Sequence, residues 1–249
     1  MTERVITSLT HPLVKHFVSL RESASYRDVT NSLFIQGRKL ITELNATNKI
    51  KVLLVADPTL IPPGINAHEV LIGNEAILQK VSGVITPEGV VAEIEKPSWS
   101  NLEGAEKVLA LDGVSDPGNV GTLLRTAAAF GWDGVYFLEG CCDPFNDKAI
   151  RSAMGATFRI PLAKGNWTDL QKMSLERQWT ALVGDLDGVP LDHATWNQGL
   201  LLVLGSEAHG ASPTARGFCT AVTIPMTQQM ESLNVAVAGG ILMYVLGKG

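Results

Sequence analysis

Residues 222–246 read VTIPMTQQMESLNVAVAGGILMYVL, and this stretch decides the architecture. Val222, Thr223 and Ile224 have the character of a buried strand's end, and Pro225 stops it because proline donates nothing to a ladder. A polar loop over 227–231 leads into Ser232, an N-cap residue type. Leu233, Val235, Val237, Ala238, Ile241, Leu242 and Val245 follow, with small residues between them. A helix apolar around most of its circumference is predicted to be buried on most sides. Ser232 and Asn234 stand at its opening, where free N–H groups make a natural ligand position. The same stretch reads equally as a helix that closes a core.

Upstream, the LLLVL run at 200–204 has the uninterrupted apolar character of a central parallel strand. Strands over 108–111, 134–138, 158–162 and 180–183 alternate with helices over 119–130, 148–154 and 168–177, which predicts a parallel sheet covered on both faces. A separate alternation precedes it. A helix over 11–22 carries Pro12 in its first turn, 23–32 reads as a polar loop, and helices near 38–44 and 74–81 alternate with strands near 33–35, 51–55, 70–72, 83–86 and 90–94. KPSWSNLEG at 96–104 has the Pro, Ser, Asn and Gly content of a connection. The organisation expected is α/β throughout: a small unit over 1–98, a linker over 99–106 and a larger parallel-sheet unit over 107–249.

Composition narrows the chemistry. A chain of 249 residues, 45% hydrophobic and 18% charged, is that of an ordinary globular protein. Its formal net charge of −5 is awkward for a nucleic-acid binder, but residues 1–51 hold eight Lys/Arg against four acids, so a polyanion would meet that segment. The opening MTERVITSLTHPLVKHF lacks the pattern of a secretory signal, and the final helix reads as core rather than membrane span. Cys141, Cys142 and Cys219 make neither a disulfide framework nor a metal set, which points to a reducing, cytoplasmic setting with no metal. Asp185 and Asp187 invite a metal, but Gly-Asp-Leu-Asp-Gly is more simply a turn. His11, His16 and His209 read as surface or capping residues, and Cys141 and Cys142 as packing. Phosphate-loop, dinucleotide, zinc-protease and serine-elbow patterns are all absent.

Ligands of open parallel sheets bind beyond the carboxyl ends of the strands. Three polar clusters fall there: DGVSDPGNVGTLLR at 112–125, GSEAHGAS at 205–212, and Ser232-Leu233-Asn234. In order and content they resemble the three signature motifs of the SpoU/TrmH family of RNA ribose 2′-O-methyltransferases, in the SPOUT superfamily. Asn119 and Arg125 stand at the family's Asn and Arg positions, Gly205-Ser206-Glu207 resembles its G-x-E core, and IRSAMGA at 150–156 is similar to a further family segment. The likeness spans roughly 108–246. HPLVKHFVSLRE at 11–22 and FIQGRKLI at 34–41 resemble the small substrate-binding domain, similar to ribosomal protein L30, that many members carry. Ala208-His209 departs from the glycine usual after the Glu.

The resemblance implies a C-terminal SPOUT domain with a trefoil knot, S-adenosyl-L-methionine (SAM) in the knotted loops, ribosomal or transfer RNA as partner, and a homodimer whose site draws on both chains. It implies catalytic roles for Arg125, Glu207, Asn119, Ser232 and Asn234, and a cofactor pocket of Leu204, Gly205, Gly210, Ile224, Met226, Leu233 and Asn234. Arg125 would act as the family's base or as an electrostatic clamp; the clamp needs no loss of a guanidinium proton. Taken singly, Asn119 and Ser232 also read as helix caps, Glu207 as a loop residue and Arg125 as a surface charge. The alternative to an enzyme is an RNA-binding module that keeps the methyltransferase fold without the chemistry.

Overall fold

The computed structural model describes residues 2–227 and 231–247. Gln228, Gln229 and Met230, in the polar loop expected before the last helix, lie outside them. The chain forms two compact units, 1–97 with 145–147, and 98–144 with 148–249.

In the first unit the elements run β1 (Thr2–Val5), α1 (Pro12–Glu22), α2 (Ala24–Thr30), β2 (Ser32–Gln36), α3 (Arg38–Leu44), β3 (Ile50–Val55), β4 (Ala67–Ile72), α4 (Glu75–Ser82) and β5 (Val90–Glu95). They build a mixed sheet of order β1-β4-β3-β5-β2, in which β5 runs antiparallel to both neighbours. Val14, Phe17 and Leu20 of α1 pack with Ile77, Leu78 and Val81 of α4 over Phe34, Leu54 and Leu71. Residues 23–32 are not the expected loop. The Ser23 hydroxyl accepts from the Tyr26 N–H and starts α2, and Asn31 ends it at a φ of 46°. Its one buried residue is Arg27, so no apolar stripe announced it. Residues 83–86 form no strand, because Gly83 (φ 68°) serves as the C-cap of α4.

The polar interior of this unit also differs from expectation. His16, read as a surface or capping residue, bridges the Tyr26 hydroxyl (2.9 Å) and Glu93 (3.0 Å). Glu93 also accepts from Ser32 (2.6 Å), whose hydroxyl accepts in turn from Lys51 (2.7 Å). Burial raises the Glu93 carboxyl, but bonds from His16 and Ser32 and the charges of His16 and Lys51 outweigh it and hold the group below the usual range. Of the eight cations in 1–51, Lys51 is therefore engaged by the protein's own oxygens. Arg27 is buried against the carbonyls ending α1, Arg21 binds the Lys80 and Val81 carbonyls, and Arg4 pairs with Glu69. Lys15, Arg38, Lys39 and Lys49 remain exposed.

The second unit continues with β6 (Lys107–Leu111), α5 (Pro117–Ala129), β7 (Gly134–Phe137), α6 (Asp147–Ala153), β8 (Leu162–Lys164), α7 (Trp167–Glu176), β9 (Thr180–Pro190), β10 (Leu200–Leu204), α8 (Pro213–Phe218), β11 (Thr220–Thr223) and α9 (Val235–Leu246). All five pairings of its six-stranded sheet, order β11-β9-β10-β6-β7-β8, are parallel. β10 is buried along its whole length, as LLLVL requires. The strand expected over 158–162 begins later. Gly155 (φ 86°) opens a 3₁₀ turn at Ala156–Phe158, and β8 starts only after Pro161. Residues 99–106 pack within this unit: the Ser100 N–H donates to the Leu162 carbonyl (2.7 Å), and Leu102 is buried in the core with Val108 and Tyr136.

Two features of the last third position the site. The first is an excursion in β9. Ala221 pairs with Val183, yet Val222 pairs with Val189, so residues 184–188 leave the β11 ladder rather than forming a simple turn. The second is the burial of α9. Gly239 lets this helix lie against Leu123 of α5 and Leu204 of β10, since a side chain there would overlap both. Its opposite face stays open, contrary to expectation: Val237 is 51% exposed, Ile241 37%, Tyr244 50% and Val245 40%. No helix of the described residues is long and apolar enough to cross a membrane.

Candidate active site

The site forms where β6 and β10 lie side by side and their following segments diverge. The Asp112 N–H donates to the Leu204 carbonyl (2.9 Å) and ties the two strand ends together. After β6 the chain turns into α5, whose N-cap is Asp116; its carboxylate accepts from the Asn119 N–H (2.9 Å). Asn119 is thus not the cap, and its side chain is free to reach outward.

It reaches in two directions. Its Nδ2 donates to Glu207 Oε1 at 2.9 Å, and its Oδ1 accepts from Asn234 Nδ2 at 3.0 Å. The polarity of this chain is set by the backbone. Asn234, rather than the expected Ser232, is the N-cap of α9, and its Oδ1 accepts from the Ala236 (2.9 Å) and Val237 (3.3 Å) N–H groups. With Oδ1 so engaged, its amide nitrogen must face Asn119, whose own nitrogen must then face Glu207. The series therefore ends on a group that can only accept. Glu207 also receives the Ser115 N–H (3.4 Å). Partial burial raises its carboxyl, but the Asn119 bond and backbone N–H groups outweigh that and hold it below the ordinary range, so it is a carboxylate at neutral pH.

Beside this chain lies a cavity of ≈ 570 Å³. All seven residues expected for a cofactor pocket line it: Leu204, Gly205, Gly210, Ile224, Met226, Leu233 and Asn234. Of the expected catalytic set, Glu207 and Ser232 line it too, while Asn119 stands behind Glu207 and Asn234. Arg125 does not line it. Six residues beyond Asn119, about 9 Å along α5, it lies on the exposed face of that helix. Gly205 has a reason of its own: a side chain there would overlap the Gly210 carbonyl, because 205–210 closes on itself through the Gly210 N–H to Ser206 carbonyl bond (2.9 Å). Gly210 sits at φ 67°, where glycine is favoured.

Several lining residues were not anticipated: Gly184, Leu186, Val222, Thr223, Ala238 and Leu242, together with the ion pair of Asp185 and Arg216 (2.7 Å). Asp185 follows β9's first paired segment and was read only as part of a turn; the rule that ligands gather beyond strand ends was the signal that could have found it. Arg216 carried no such signal. Among the described residues no group of His, Cys, Asp and Glu could hold a metal ion.

Comparison with known proteins places these observations in a family. The model described as "SpoU rRNA Methylase family" matches residues 106–244. The 23S rRNA (guanosine(2553)-2′-O)-methyltransferase RlmP of Bacillus subtilis is 34% identical over 227 residues, covering 88% of this chain and 90% of that protein. The crystal structure of an AdoMet-bound rRNA methyltransferase from Sinorhizobium meliloti superposes with a TM-score of 0.84 at 31% identity, covering 98% of this chain and 97% of that one. The SpoU methyltransferase AviRb from Streptomyces viridochromogenes, in complex with AdoMet, shares the fold at 22% identity with a TM-score of 0.85, over 96% of this chain and 97% of that one.

Proposed function

The chain belongs to the SpoU rRNA methylase family, and from that premise we propose that it transfers the methyl group of SAM to a ribose 2′-hydroxyl in structured RNA, ribosomal before transfer RNA. The observation that carries this reading is the Asn234–Asn119–Glu207 chain, which presents a fixed carboxylate at the rim of a cavity. The similarity to RlmP, a 2′-O-methyltransferase of 23S rRNA by its name, supports the choice of ribose and of ribosomal RNA.

The cavity fits the cofactor. Its volume lies in the usual range for a drug-sized ligand, about 300–1,000 Å³. Leu204, Ile224 and Leu242 offer apolar walls to a flat base, and Gly205 with Gly210 brings backbone to the surface. When bound, SAM supplies a methyl group on a sulfonium, activated for displacement. The protein's share is to hold the hydroxyl in line, stabilise the developing alkoxide and receive its proton. In this reading Glu207 receives the proton or orients Arg125, Asn119 fixes Glu207, Ser232 and Asn234 hold the cofactor's polar end, and Arg125 clamps phosphate and alkoxide.

Arg125 is exposed and is not among the residues lining its own cavity, and this supports a homodimer with shared sites. On α9, Val237, Ile241, Tyr244 and Val245 recur at helical spacing as an exposed apolar stripe, and α9 packs on α5, which carries Arg125. A second copy covering that stripe would receive Arg125 at its own rim. The trefoil knot belongs to the same proposal, supported by a strand order that seats β9 between the two strands following it. The first unit is assigned to RNA binding, with Lys15, Arg38, Lys39 and Lys49 as its free cations, and the setting is taken as cytoplasmic.

The test is methylation of total RNA with methyl-labelled SAM, followed by mapping of ribose positions that resist alkaline cleavage. Label in a 2′-O-methylnucleotide is the expected result. RNA binding without any methyl transfer would favour the silent RNA-binding module instead.

A further inference from the structure

The cavity has two polar ends. At one, Glu207 follows β10 and is bonded to Asn119, which follows β6. At the other, Asp185 follows the first paired segment of β9, on the opposite flank of β10, where residues 184–188 leave the β11 ladder. Both ends of that excursion are glycine. A side-chain atom on Gly184 would press on Leu242 (3.0 Å) and Leu204 (3.4 Å), and one on Gly188 would overlap the backbone of Val222 (2.5 Å). The excursion is thus pinned, and it sets Asp185 in the cavity wall with its side chain 6% exposed.

The Asp185 carboxylate is only partly used. Oδ2 accepts from Arg216 Nε (2.7 Å), and Oδ1 accepts from the Asp187 N–H (3.2 Å). An ionised carboxylate has about four lone-pair sites, two per oxygen. One site on each oxygen stays open, the arrangement that takes two adjacent O–H donors. An amino group presents its two hydrogens from a single nitrogen and matches it less well.

Charge fixes which end of the ligand goes where. Arg216 cancels the charge of Asp185. Glu207 and Glu231 also line the cavity, and among the described residues neither forms an ion pair. A sulfonium cation is drawn toward those two, which leaves the uncharged adenosine end for Asp185.

Resting on the reading that the cavity holds SAM, we propose that Asp185 binds the 2′,3′-cis-diol of the cofactor's ribose and orients it, and that Arg216 acts as a positioning residue that holds Asp185 in place and removes its pull on the sulfonium.

The experiment is calorimetric titration of the full-length protein with S-adenosylhomocysteine, its 2′-deoxy and 3′-deoxy counterparts and S-inosylhomocysteine. Wild type is expected to bind each deoxy analogue on the order of tenfold more weakly than the parent, the scale of one hydrogen bond to a charged group. Asp185→Ala is expected to bind the parent on the order of tenfold to a hundredfold more weakly and to lose the distinction between parent and deoxy forms. Asp185→Asn, which keeps one acceptor, reads the same quantity if the alanine variant does not fold, with a reduced deoxy penalty. A deoxy penalty that survives unchanged in either variant overturns the proposal, as does a variant that erases the penalty of the inosyl analogue instead. Parent binding with no deoxy penalty in wild type sinks this inference alone. A wild-type protein that binds none of the four sinks the cofactor reading as well, and this inference with it.

Discussion

The two units each contain a carboxylate at the end of a chain of polar side chains, and the two chains are built oppositely. In the first unit Glu93 is buried and its partners carry charge or can carry it: His16 and, through Ser32, Lys51. In the second, Glu207 stands at a rim and its partners are neutral: the amides of Asn119 and Asn234 and a backbone N–H. Both carboxyls sit below their usual range. Glu93 is neutralised where it lies, so its energy is spent on holding α1, β2 and β5 together. Glu207 is ionised without being neutralised, so its field remains available to a ligand. A buried polar network thus reads as structural when its charges cancel internally, and as functional when one charge is left facing a cavity.

The contrast can be broken most forcefully at Arg125. We expect Arg125→Ala to lower methyl transfer by on the order of a thousandfold while SAM affinity, measured by calorimetry, stays within a few-fold. Mixing Arg125→Ala with Glu207→Ala subunits then separates the two geometries. If the arginine serves its partner's cavity, each mixed dimer regains one complete site, whereas a site built within one chain gives no recovery. Next in size is Glu93→Ala, which leaves His16 and Ser32 without their shared acceptor and should lower unfolding free energy by about 3 kcal/mol in urea titration. Wild-type stability after that truncation would mean the sealed network holds nothing together. Asn119→Ala should sharpen the contrast from the other side. We expect a loss of on the order of tenfold to a hundredfold in kcat/KM, with little change in melting temperature because Asp116 still caps α5. A large melting shift with unaltered kinetics would make the open chain as structural as the sealed one.

The smallest effect is in pH. Glu93 has a folded pKa depressed below its unfolded value near 4.5. Its contribution is therefore fully present above that unfolded value and is lost as pH falls through the folded one. Wild-type stability should decline over that acid range, and the decline should be shallower in Glu93→Gln. Parallel curves for the two proteins would remove Glu93 from the account.

Much of this molecule was legible before any coordinates, for identifiable reasons. The parallel sheet was readable because buried strands such as 200–204 tolerate no polar interruption. Part of the cavity wall was readable because 205–210 directly follows a buried strand, while the grouping of its other residues rested on the family resemblance. Helix α2 was not, since a helix that buries one arginine has no apolar period to detect. Nor was the open face of α9, because alternating small and large apolar residues look alike whether the far side meets a core or is left uncovered. The cap of α9 lay two residues later than Ser232, as Ser and Asn are both good caps and only the backbone path chooses between them. Asp185 and Arg216 are 31 residues apart, and they meet only because β9 makes an excursion that no local pattern encodes. The charge excess of residues 1–51 overstated the free cations, because arginine and lysine also donate to the protein's own carbonyl groups.

One consequence follows from the segment 205–210. Gly205 lies against the Gly210 carbonyl, and the turn is closed by its own backbone bond. This wall of the cavity has its shape before any molecule enters, so its ordering entropy is spent during folding and not at the moment of encounter. Entry against this wall should therefore resemble seating a key, with a single kinetic phase whose rate rises linearly with nucleoside concentration.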